Sequence, residues 1–215
     1  MVIPLYNEAT VVGGVIDGLR STFPKVVAVD DGSTDDSVAI ARKAGAVVVQ
    51  HPINLGQGAA LQTGIEFALR RGAEYLVTFD ADGQHRVVDA AAMVTAAKQD
   101  DLAFVLGSRF LDRRTRPGVL KKIVLKLAVW HVRASTRLKV TDAHNGLRVL
   151  RADAARSVEI QQDRMAHASE IVAQLGRTGL PWREFPVQIE YTTYSKAKGQ
   201  SLWNTVNILT DLAAK

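Results

Sequence analysis

The sequence predicts an α/β fold in which a mixed, mostly parallel sheet is flanked by helices on both faces. In the first half of the chain, short β-branched apolar runs alternate with helical patterns, which is typical of strand–helix–strand units. Acidic and glycine-rich motifs follow these runs, at the strand ends where open α/β sheets bind their ligands. The 215 residues, 47% of them hydrophobic, are enough to bury the core of one domain.

The apolar patterns place the individual elements. In the first half, strands are predicted over 25–30, 46–50, 75–80 and 102–107, and helices over 9–21, 34–44, 58–71 and 87–99. In the second half, strands are predicted over 147–150 and 184–191, a helix over 167–177 and an amphipathic tail over 201–214. We expect one domain over 1–215, with a nucleotide-binding half at 1–107 and an acceptor half at 108–215. Only three residues precede Pro4, so the chain is expected to begin inside its first strand.

The composition excludes several classes of protein. The chain has no cysteine, so it has no disulfide, no thiolate zinc site and no cysteine nucleophile. Its hydrophobic content, with 23% charged residues, is unlike that of a disordered chain. No apolar run reaches the roughly 20 residues of a membrane-spanning helix.

The net charge of +5 is concentrated in one basic segment, residues 109–139. This segment carries ten basic residues and one acidic residue, a charge of +9, which leaves −4 for the rest of the chain. Within it, residues 119–130 are apolar, interrupted by lysines, and end in Trp130. Such a helix favours the headgroup region of an anionic membrane, and the alternative is a core helix with a solvated lysine face.

Polar motifs follow the first two strands. Pro4-Leu5-Tyr6-Asn7-Glu8 ends the first, and Asp30-Asp31-Gly32-Ser33-Thr34-Asp35 ends the second. A carboxylate at a strand end can accept hydrogen bonds from a base or a ribose, and we assign that role to Asp31. Gly32 permits the tight turn into the next helix. Thr34 is predicted to start that helix, with Asp35 and Asp36 as capping acids.

Glycines follow the third strand. Asn54-Leu55-Gly56-Gln57-Gly58 opens a helix, and its two glycines would let a ligand approach the backbone. The motif lacks the third glycine of a dinucleotide fingerprint and the Gly-Lys-Ser/Thr of a P-loop. Gly64 is interpreted as a site of close helix packing.

The fourth strand ends in Asp80-Ala81-Asp82-Gly83-Gln84-His85. Two carboxylates two residues apart, with an amide oxygen beyond, are ligands that suit Mg²⁺ or Mn²⁺. The metal ligands are therefore predicted to be Asp80, Asp82 and Gln84. The metal that they hold would bridge the phosphates of a nucleotide. His85 is a secondary candidate, and His144 is interpreted as structural or solvent-facing.

These motifs together resemble the family 2 inverting glycosyltransferases, which have a Rossmann-like GT-A fold. Within them the chain is most similar to the dolichol-phosphate mannosyltransferase branch, which transfers a sugar to a polyprenyl phosphate. Asn145-Gly146-Leu147-Arg148 replaces the Ser-Gly-Phe-Arg that is frequent in that branch, and the Q-x-x-R-W box of processive synthases is missing. The matching motifs are P-L-Y-N-E at 4–8, V-D-D-G-S-T-D at 29–35, N-L-G-Q-G at 54–58, D-A-D-G-Q-H at 80–85, G-S-R-F at 107–110 and D-A-H-N-G-L-R at 142–148.

The resemblance implies roles for individual residues. The donor, a UDP- or GDP-linked sugar, would be bound by Pro4, Tyr6, Glu8, Asp31, Asn54, Gly56, Gly58, Asp80 and Ser108. Catalysis would involve Asp82, Arg109, Arg148, Asp142 and Glu170, with Arg109 and Arg148 steadying phosphate charge. Because the Q-x-x-R-W box is missing, we expect transfer of a single sugar. The basic segment leads us to expect a cytoplasmic protein at the periphery of the cytoplasmic membrane face.

The acceptor decides which further groups the reaction needs. A sugar hydroxyl is a poor nucleophile and requires a general base, for which Asp142 and Glu170 are the candidates. A phosphate monoester, with a second pKa near ~6, is already anionic and requires neutralising charge instead. The arginine-rich second half favours a polyprenyl-phosphate acceptor, and the hydroxyl acceptor remains the alternative. A nucleic-acid-binding module is the remote third possibility, because the basic segment matches no recognised reader motif.

Overall fold

A computed structural model describes residues 1–111, 138–162 and 166–190. In this part of the chain, the strands are β1 (Val2–Leu5), β2 (Val27–Asp30), β3 (Val47–Gln50), β4 (Tyr75–Thr78), β5 (Phe104–Ser108), β6 (Arg148–Arg151) and β7 (Trp182–Pro186). The helices are α1 (Val12–Arg20), α2 (Ser37–Lys43), α3 (Gln57–Arg70), α4 (Val87–Gln99), α5 (Ala152–Arg156) and α6 (Ala166–Arg177).

The seven strands described form one sheet in the order β3-β2-β1-β4-β6-β5-β7. β6 is antiparallel to both of its neighbours, β4 and β5, while the other pairs are parallel. The carboxyl ends of six strands therefore share one edge of the sheet with the amino end of β6. This orientation brings Arg148, the first residue of β6, to the edge that carries the acidic motifs.

Helices cover both faces of this sheet, as predicted. One apolar cluster joins α1, α2 and α4 to alternate strand residues such as Ile3, and the other joins α3, α5 and α6 to residues such as Val2. This alternation follows from the two-residue period of a strand. Gly64 of α3 faces Val2 and Val29, where a Cβ atom would clash, which supports its assignment to close packing.

Several boundaries differ from those predicted. α2 begins at Ser37 rather than Thr34, because Thr34 donates to the side chain of Asn7 while Asp35 accepts from Ser37. The strand predicted over 184–191 is β7 (Trp182–Pro186), since residues after 186 leave the sheet and run beside the β4–α4 loop. The short helix α5 was not predicted.

Other predictions lie outside the described residues. Most of the basic segment, residues 112–137, and the amphipathic tail over 201–214 belong to this group. Within the described part of the chain, no helix combines the length and the apolar character that crossing a membrane requires.

Candidate active site

The loop after β4 carries the two predicted metal-binding carboxylates. Asp80 Oδ2 lies 2.9 Å from His85 Nε2, and Gln57 Nε2, at the start of α3, is 3.4 Å from Asp80 Oδ1. Asp82 Oδ1 accepts from the backbone N–H of Gln84 at 3.0 Å. The loop thus folds back on itself at the sheet edge where β4 ends.

The two carboxylates differ in their electrostatics. Burial raises the pKa of Asp80, but the hydrogen bond from His85 and the attraction of His85 and Arg148 outweigh it, leaving the pKa below its ordinary value. Burial, and then the negative charge of Asp80, raise the pKa of Asp82 to about 6. A cation placed between these two oxygen ligands would relieve the repulsion between them.

The loop before β6 packs directly on Asp80. Thr78 Oγ1 donates to the carbonyl oxygen of Gly146 at 2.6 Å. A Cβ atom at Gly146 would lie 2.6 Å from Asp80 Oδ1 and 2.7 Å from its Cγ, so only glycine permits this approach. Gly146 thereby brings Asn145 and Arg148 to the side of the predicted metal site.

Two buried nitrogen donors, one just before β6 and one at its first residue, are not used within the described residues. Arg148 is 2% exposed and Asn145 is 3% exposed. Arg148 Nη2 and Asn145 Nδ2 have no hydrogen-bond partner in the described part of the chain. Burial lowers the pKa of Arg148 to about 10, although Asp80 and Asp142 attract its charge. Unused buried donors are costly, and an anion that reached them would remove that cost.

Arg109 and Asp142, by contrast, form a closed ion pair. Arg109 Nε lies 2.6 Å from Asp142 Oδ2 and Nη2 lies 3.3 Å from Oδ1. The backbone N–H groups of Arg109 and His144 also donate to this carboxylate. All four acceptor positions of Asp142 are therefore filled.

A hydroxyl network adjoins this pair. Ser108 Oγ is 2.7 Å from Thr141 Oγ1, which is 2.8 Å from Glu184 Oε2 on β7. Glu184 Oε1 accepts from the backbone N–H groups of Thr141 and Asp142. Burial raises the pKa of Glu184, and these hydrogen bonds oppose the rise. The network holds residues 108 and 141 together, on either side of the basic segment.

The predicted base-binding residue, Asp31, lies at the end of β2 and is 3% exposed. Its Oδ1 is 2.8 Å from His51 Nδ1 and accepts from the backbone N–H of Leu55 at 2.9 Å. Its Oδ2 accepts from the N–H of Gly56 at 2.8 Å. Gly56 has φ +96°, a conformation that glycine adopts without strain.

The first motif lies beside Asp31. Pro4 is buried in β1, and Tyr6 is exposed at the strand end. Glu8 is buried, its N–H donates to Ser37 Oγ at 2.7 Å, and its charge contributes to the raised pKa of Asp82. Asn54 packs its backbone against Gly32. The structure therefore brings this motif between Asp31 and the predicted metal site.

Two further candidates make structural contacts. Gly58 packs under residues 160–162, where a Cβ atom would lie 2.5 Å from the carbonyl oxygen of Gln162. Glu170 Oε2 accepts from the backbone N–H groups of Gln161 and Gln162 at 3.1 and 2.9 Å. Both residues hold the segment before α6, and their predicted roles in donor binding and catalysis stay predictions.

The position of His144 agrees with its interpretation as a structural residue and not with a solvent-facing one. Burial lowers the pKa of His144 to about 4, so it is neutral near pH 7. Its Nε2 lies 3.4 Å from Ser169 Oγ, and its Nδ1 has no hydrogen-bond partner among the described residues.

The residues present fit a divalent metal as far as oxygen donors are concerned. Asp80 and Asp82 supply hard ligands, and a cation would offset both the burial and the negative charge of Asp80 that raise the pKa of Asp82. Within the described ranges, no group of three or more His, Asp and Glu side chains is placed to hold a metal. Mg²⁺ is commonly bound by one or two carboxylates together with substrate phosphates.

A match to a family model shows which protein family the chain belongs to. The model of the glycosyl transferase family 2 matches residues 1–158, which include β1 to β6 and the loops described above. The chain belongs to this family. The prediction of a glycosyltransferase is therefore confirmed.

Two relatives of this family 2 glycosyltransferase align over almost the whole chain, and a third aligns over about three quarters of it. A protein of Methanocaldococcus jannaschii without an assigned activity is 32% identical over 97% of this chain and 88% of its own. A UDP-N-acetylglucosamine–dolichyl-phosphate N-acetylglucosaminyltransferase of Methanococcus voltae is 29% identical over 94% of this chain and 89% of its own. A polyprenol monophosphomannose synthase of Mycolicibacterium smegmatis is 30% identical over 74% of this chain and 64% of its own.

Solved structures confirm the GT-A fold. Glucosyl-3-phosphoglycerate synthase from Mycobacterium tuberculosis, crystallised with Mn²⁺, UDP and glucosyl-3-phosphoglycerate, has a TM-score of 0.69. The two chains are 18% identical, and the match covers 99% of this chain and 77% of the synthase.

Sequence reasoning missed several residues of this site. His51, Thr141 and Glu184 were not singled out, because their partners are 20 to 43 residues away in the chain. Gly146 was part of a matching motif, but its contact with Asp80 depends on the pairing of β4 with β6. One signal was available for His51: it comes directly after β3, and polar residues after strands cluster at that edge of the sheet.

Proposed function

We propose that this glycosyltransferase moves one sugar, with inversion, from a nucleotide-diphosphate sugar to a polyprenyl phosphate, assisted by Mg²⁺ or Mn²⁺. One observation carries the proposal: Arg148, a buried arginine with a donor that no described residue uses, lies close to Asp80, and Asp82 in the same loop has a raised pKa. Arg148 supplies positive charge and Asp80 with Asp82 supplies oxygen ligands. A metal-bound diphosphate has the charges and the acceptors that complement both.

The chain's own residues would act on the leaving group. A divalent metal, when bound by Asp80, Asp82 and Gln84, supplies charge stabilisation to the departing nucleoside diphosphate. Arg148 would donate its free N–H to a phosphate oxygen, and its fixed position between β4 and β5 avoids the cost of reorganisation. Arg109 would act differently, because its ion pair with Asp142 makes it a positioning residue for the loop that precedes the basic segment.

The hydrogen bonds that the two candidate bases, Asp142 and Glu170, already accept favour a phosphate acceptor. Asp142 has no free acceptor position, since two N–H groups donate to each of its oxygens. Glu170 uses one oxygen to hold the backbone of residues 161 and 162. An acceptor that needs no proton removed suits such a site better than a sugar hydroxyl. The names of the relatives from M. voltae and M. smegmatis support the same class of acceptor.

The proposal includes contact with a membrane surface. The ends of the basic segment are held at the site's edge by the Ser108–Thr141 contact and the Arg109–Asp142 pair. An acceptor phosphate carried by a lipid would then arrive where the segment returns to the sheet. Co-sedimentation at low salt tests this part: we expect binding to anionic vesicles but not to neutral ones, and equal recovery with both would contradict it.

A paired-acceptor assay tests the function. The protein is incubated with Mn²⁺, UDP- and GDP-sugars, and either a short polyprenyl phosphate or the polyprenol of the same length. We expect glycosylated lipid from the phosphate alone, and its loss on addition of a chelator. Transfer to the alcohol alone, abolished by Glu170→Gln while donor binding persists, would establish the hydroxyl-acceptor alternative instead.

A further inference from the structure

We propose that His51, together with two backbone N–H groups, makes the nucleotide site specific for uracil over guanine. It does so by leaving Asp31 a single acceptor position that no residue in the described part of the chain fills. This inference rests on the proposed function and names the base of its donor, which the residue types alone leave open between UDP and GDP.

The acceptor positions of Asp31 can be counted. A carboxylate has about four, two on each oxygen. Oδ1 accepts from His51 Nδ1 at 2.8 Å and from the Leu55 N–H at 2.9 Å, which fills it. Among the described residues, Oδ2 accepts only from the Gly56 N–H, at 2.8 Å, and retains one position. Asp31 can therefore take one further hydrogen bond, on Oδ2.

His51 is held in place on its other side. Its Nε2 lies 2.9 Å from Thr63 Oγ1 on α3. Since Asp31 is an acceptor, the proton belongs on Nδ1, which leaves Nε2 to accept from the Thr63 hydroxyl. The imidazole thus links β2 to α3 and keeps Oδ1 of Asp31 occupied.

The surroundings of Asp31 suit a planar base. Among the described residues, only six large hydrophobic side chains are exposed, and Tyr6, Ile53 and Leu55 are three of them. Tyr6 follows Leu5, whose carbonyl accepts from the Asp31 N–H, and Leu55 donates to the carboxylate itself. An acceptor with an exposed aromatic and aliphatic rim gives a base one polar contact and a flat apolar one.

The bases differ in how many donors they present to a carboxylate. Guanine offers N1–H and N2–H side by side, which pair with both oxygens of a free carboxylate. Uracil offers N3–H alone, flanked by two carbonyl oxygens. One free position on Oδ2 satisfies uracil, whereas guanine would bury an unpaired N–H or displace the N–H of Gly56. A site with unpaired buried groups discriminates strongly.

Calorimetry with UDP and GDP at saturating Mn²⁺ tests the inference directly. Both ligands carry the same diphosphate, so the ratio of their dissociation constants isolates the base. We expect UDP to bind at least about tenfold more tightly than GDP. GDP binding as tightly as UDP would overturn the inference without recourse to any variant.

Variants of His51 test the mechanism. His51→Leu empties one position on Oδ1, so both oxygens of Asp31 become available and the preference for UDP should fall at least threefold. His51→Asn keeps a donor near the place of Nδ1 and should retain the preference. Thr63→Val removes the hydroxyl but leaves the Nδ1 contact, and serves as the matched control with an unchanged ratio. An unchanged ratio in His51→Leu, with a melting curve that shows a folded protein, would contradict the role of His51.

The outcomes separate this inference from the proposed function. If UDP and GDP bind equally and sugar transfer to a polyprenyl phosphate occurs, the base assignment fails and the function stands. If neither nucleotide binds in the presence of Mn²⁺, the proposed function itself fails.

Discussion

Two acidic loops share one edge of the sheet, and the protein treats their carboxylates in opposite ways. Asp31, after β2, receives three hydrogen bonds from His51 and from the backbone of the next loop. Asp82, after β4, receives one backbone hydrogen bond from the described residues, and burial, followed by the negative charge of Asp80, raises its pKa to about 6. The carboxylate of Asp31 stabilises the loop between β3 and α3, whereas the carboxylate of Asp82 keeps a negative charge that a ligand can balance.

The same contrast divides the two buried arginines. Arg109 is paired with Asp142 at 2.6 Å, and the pair joins two segments of the fold. Arg148 is more deeply buried than Arg109, yet its Nη2 has no hydrogen-bond partner among the described residues. At this edge of the sheet, polar side chains with hydrogen-bond partners stabilise the structure. Those without partners indicate where we expect the substrate's phosphates to bind.

The largest expected effect comes from Asp82→Asn. Loss of a carboxylate that would hold the metal should lower turnover by about 10³-fold. Stability should not fall at pH 7.5, and should rise if anything, because the folded pKa of Asp82 lies above its ordinary value and the ionised carboxylate opposes folding above pH about 6. Turnover assays and thermal melts at pH 7.5 measure both.

Asp31→Asn is the matched control for that variant. The amide would face N–H donors that the carboxylate now accepts, so the free energy of unfolding should fall by about 1–3 kcal/mol. An Asp31 variant as stable as the wild type, or a strongly destabilised Asp82 variant, would break the contrast between the two loops.

The next effect is expected at Arg148. Arg148→Met removes the donor proposed for the diphosphate, and turnover should fall by about 10²-fold while the melting temperature stays the same or rises. Arg109→Met leaves Asp142 buried without its counter-charge and should cost about 3–5 kcal/mol of stability. Melting curves with and without UDP and Mn²⁺ compare the two variants. Equal destabilisation by both substitutions would contradict the assignment of Arg109 to structure and Arg148 to phosphate binding.

A smaller effect is expected at Gly146. Gly146→Ala places a Cβ atom against the carboxylate of Asp80 and displaces it from the site, so turnover should fall about tenfold. Gly72→Ala is a useful comparison, because its Cβ meets no atom within 4 Å, although its φ of +75° carries a strain of its own. A Gly146→Ala protein with full activity would show that the approach of Gly146 to Asp80 is unimportant.

The smallest effect is a dependence of metal affinity on pH. Because the pKa of Asp82 is raised to about 6, a proton must leave before the metal binds below that pH. The Mn²⁺ affinity should be about halved at pH 6 and about tenfold lower at pH 5 than at pH 8. Titration followed by Mn²⁺ electron paramagnetic resonance measures it, and Asp82→Asn should abolish the dependence over this range.

Local patterns were sufficient for much of the fold. The strands of the first half were predicted within two residues at most ends, because each is a short β-branched run bounded by glycine or acidic residues. β7 was placed too late, since the sequence beyond Pro186 remains strand-like although it leaves the sheet. α2 was placed too early, because Thr34 forms a contact with Asn7 that lies 27 residues away.

The sequence by itself determined the family, the α/β order and the acidic motifs, because these depend on residues that are neighbours in the chain. Only the tertiary structure decided which of those polar groups are already paired. The antiparallel insertion of β6 between β4 and β5 brings Arg148 and Gly146 to Asp80, across some 70 residues of sequence. The fold of the β3–α3 loop likewise closes His51 onto Asp31. Hydrogen-bond satisfaction is a property of three-dimensional neighbours, and no local pattern encodes it.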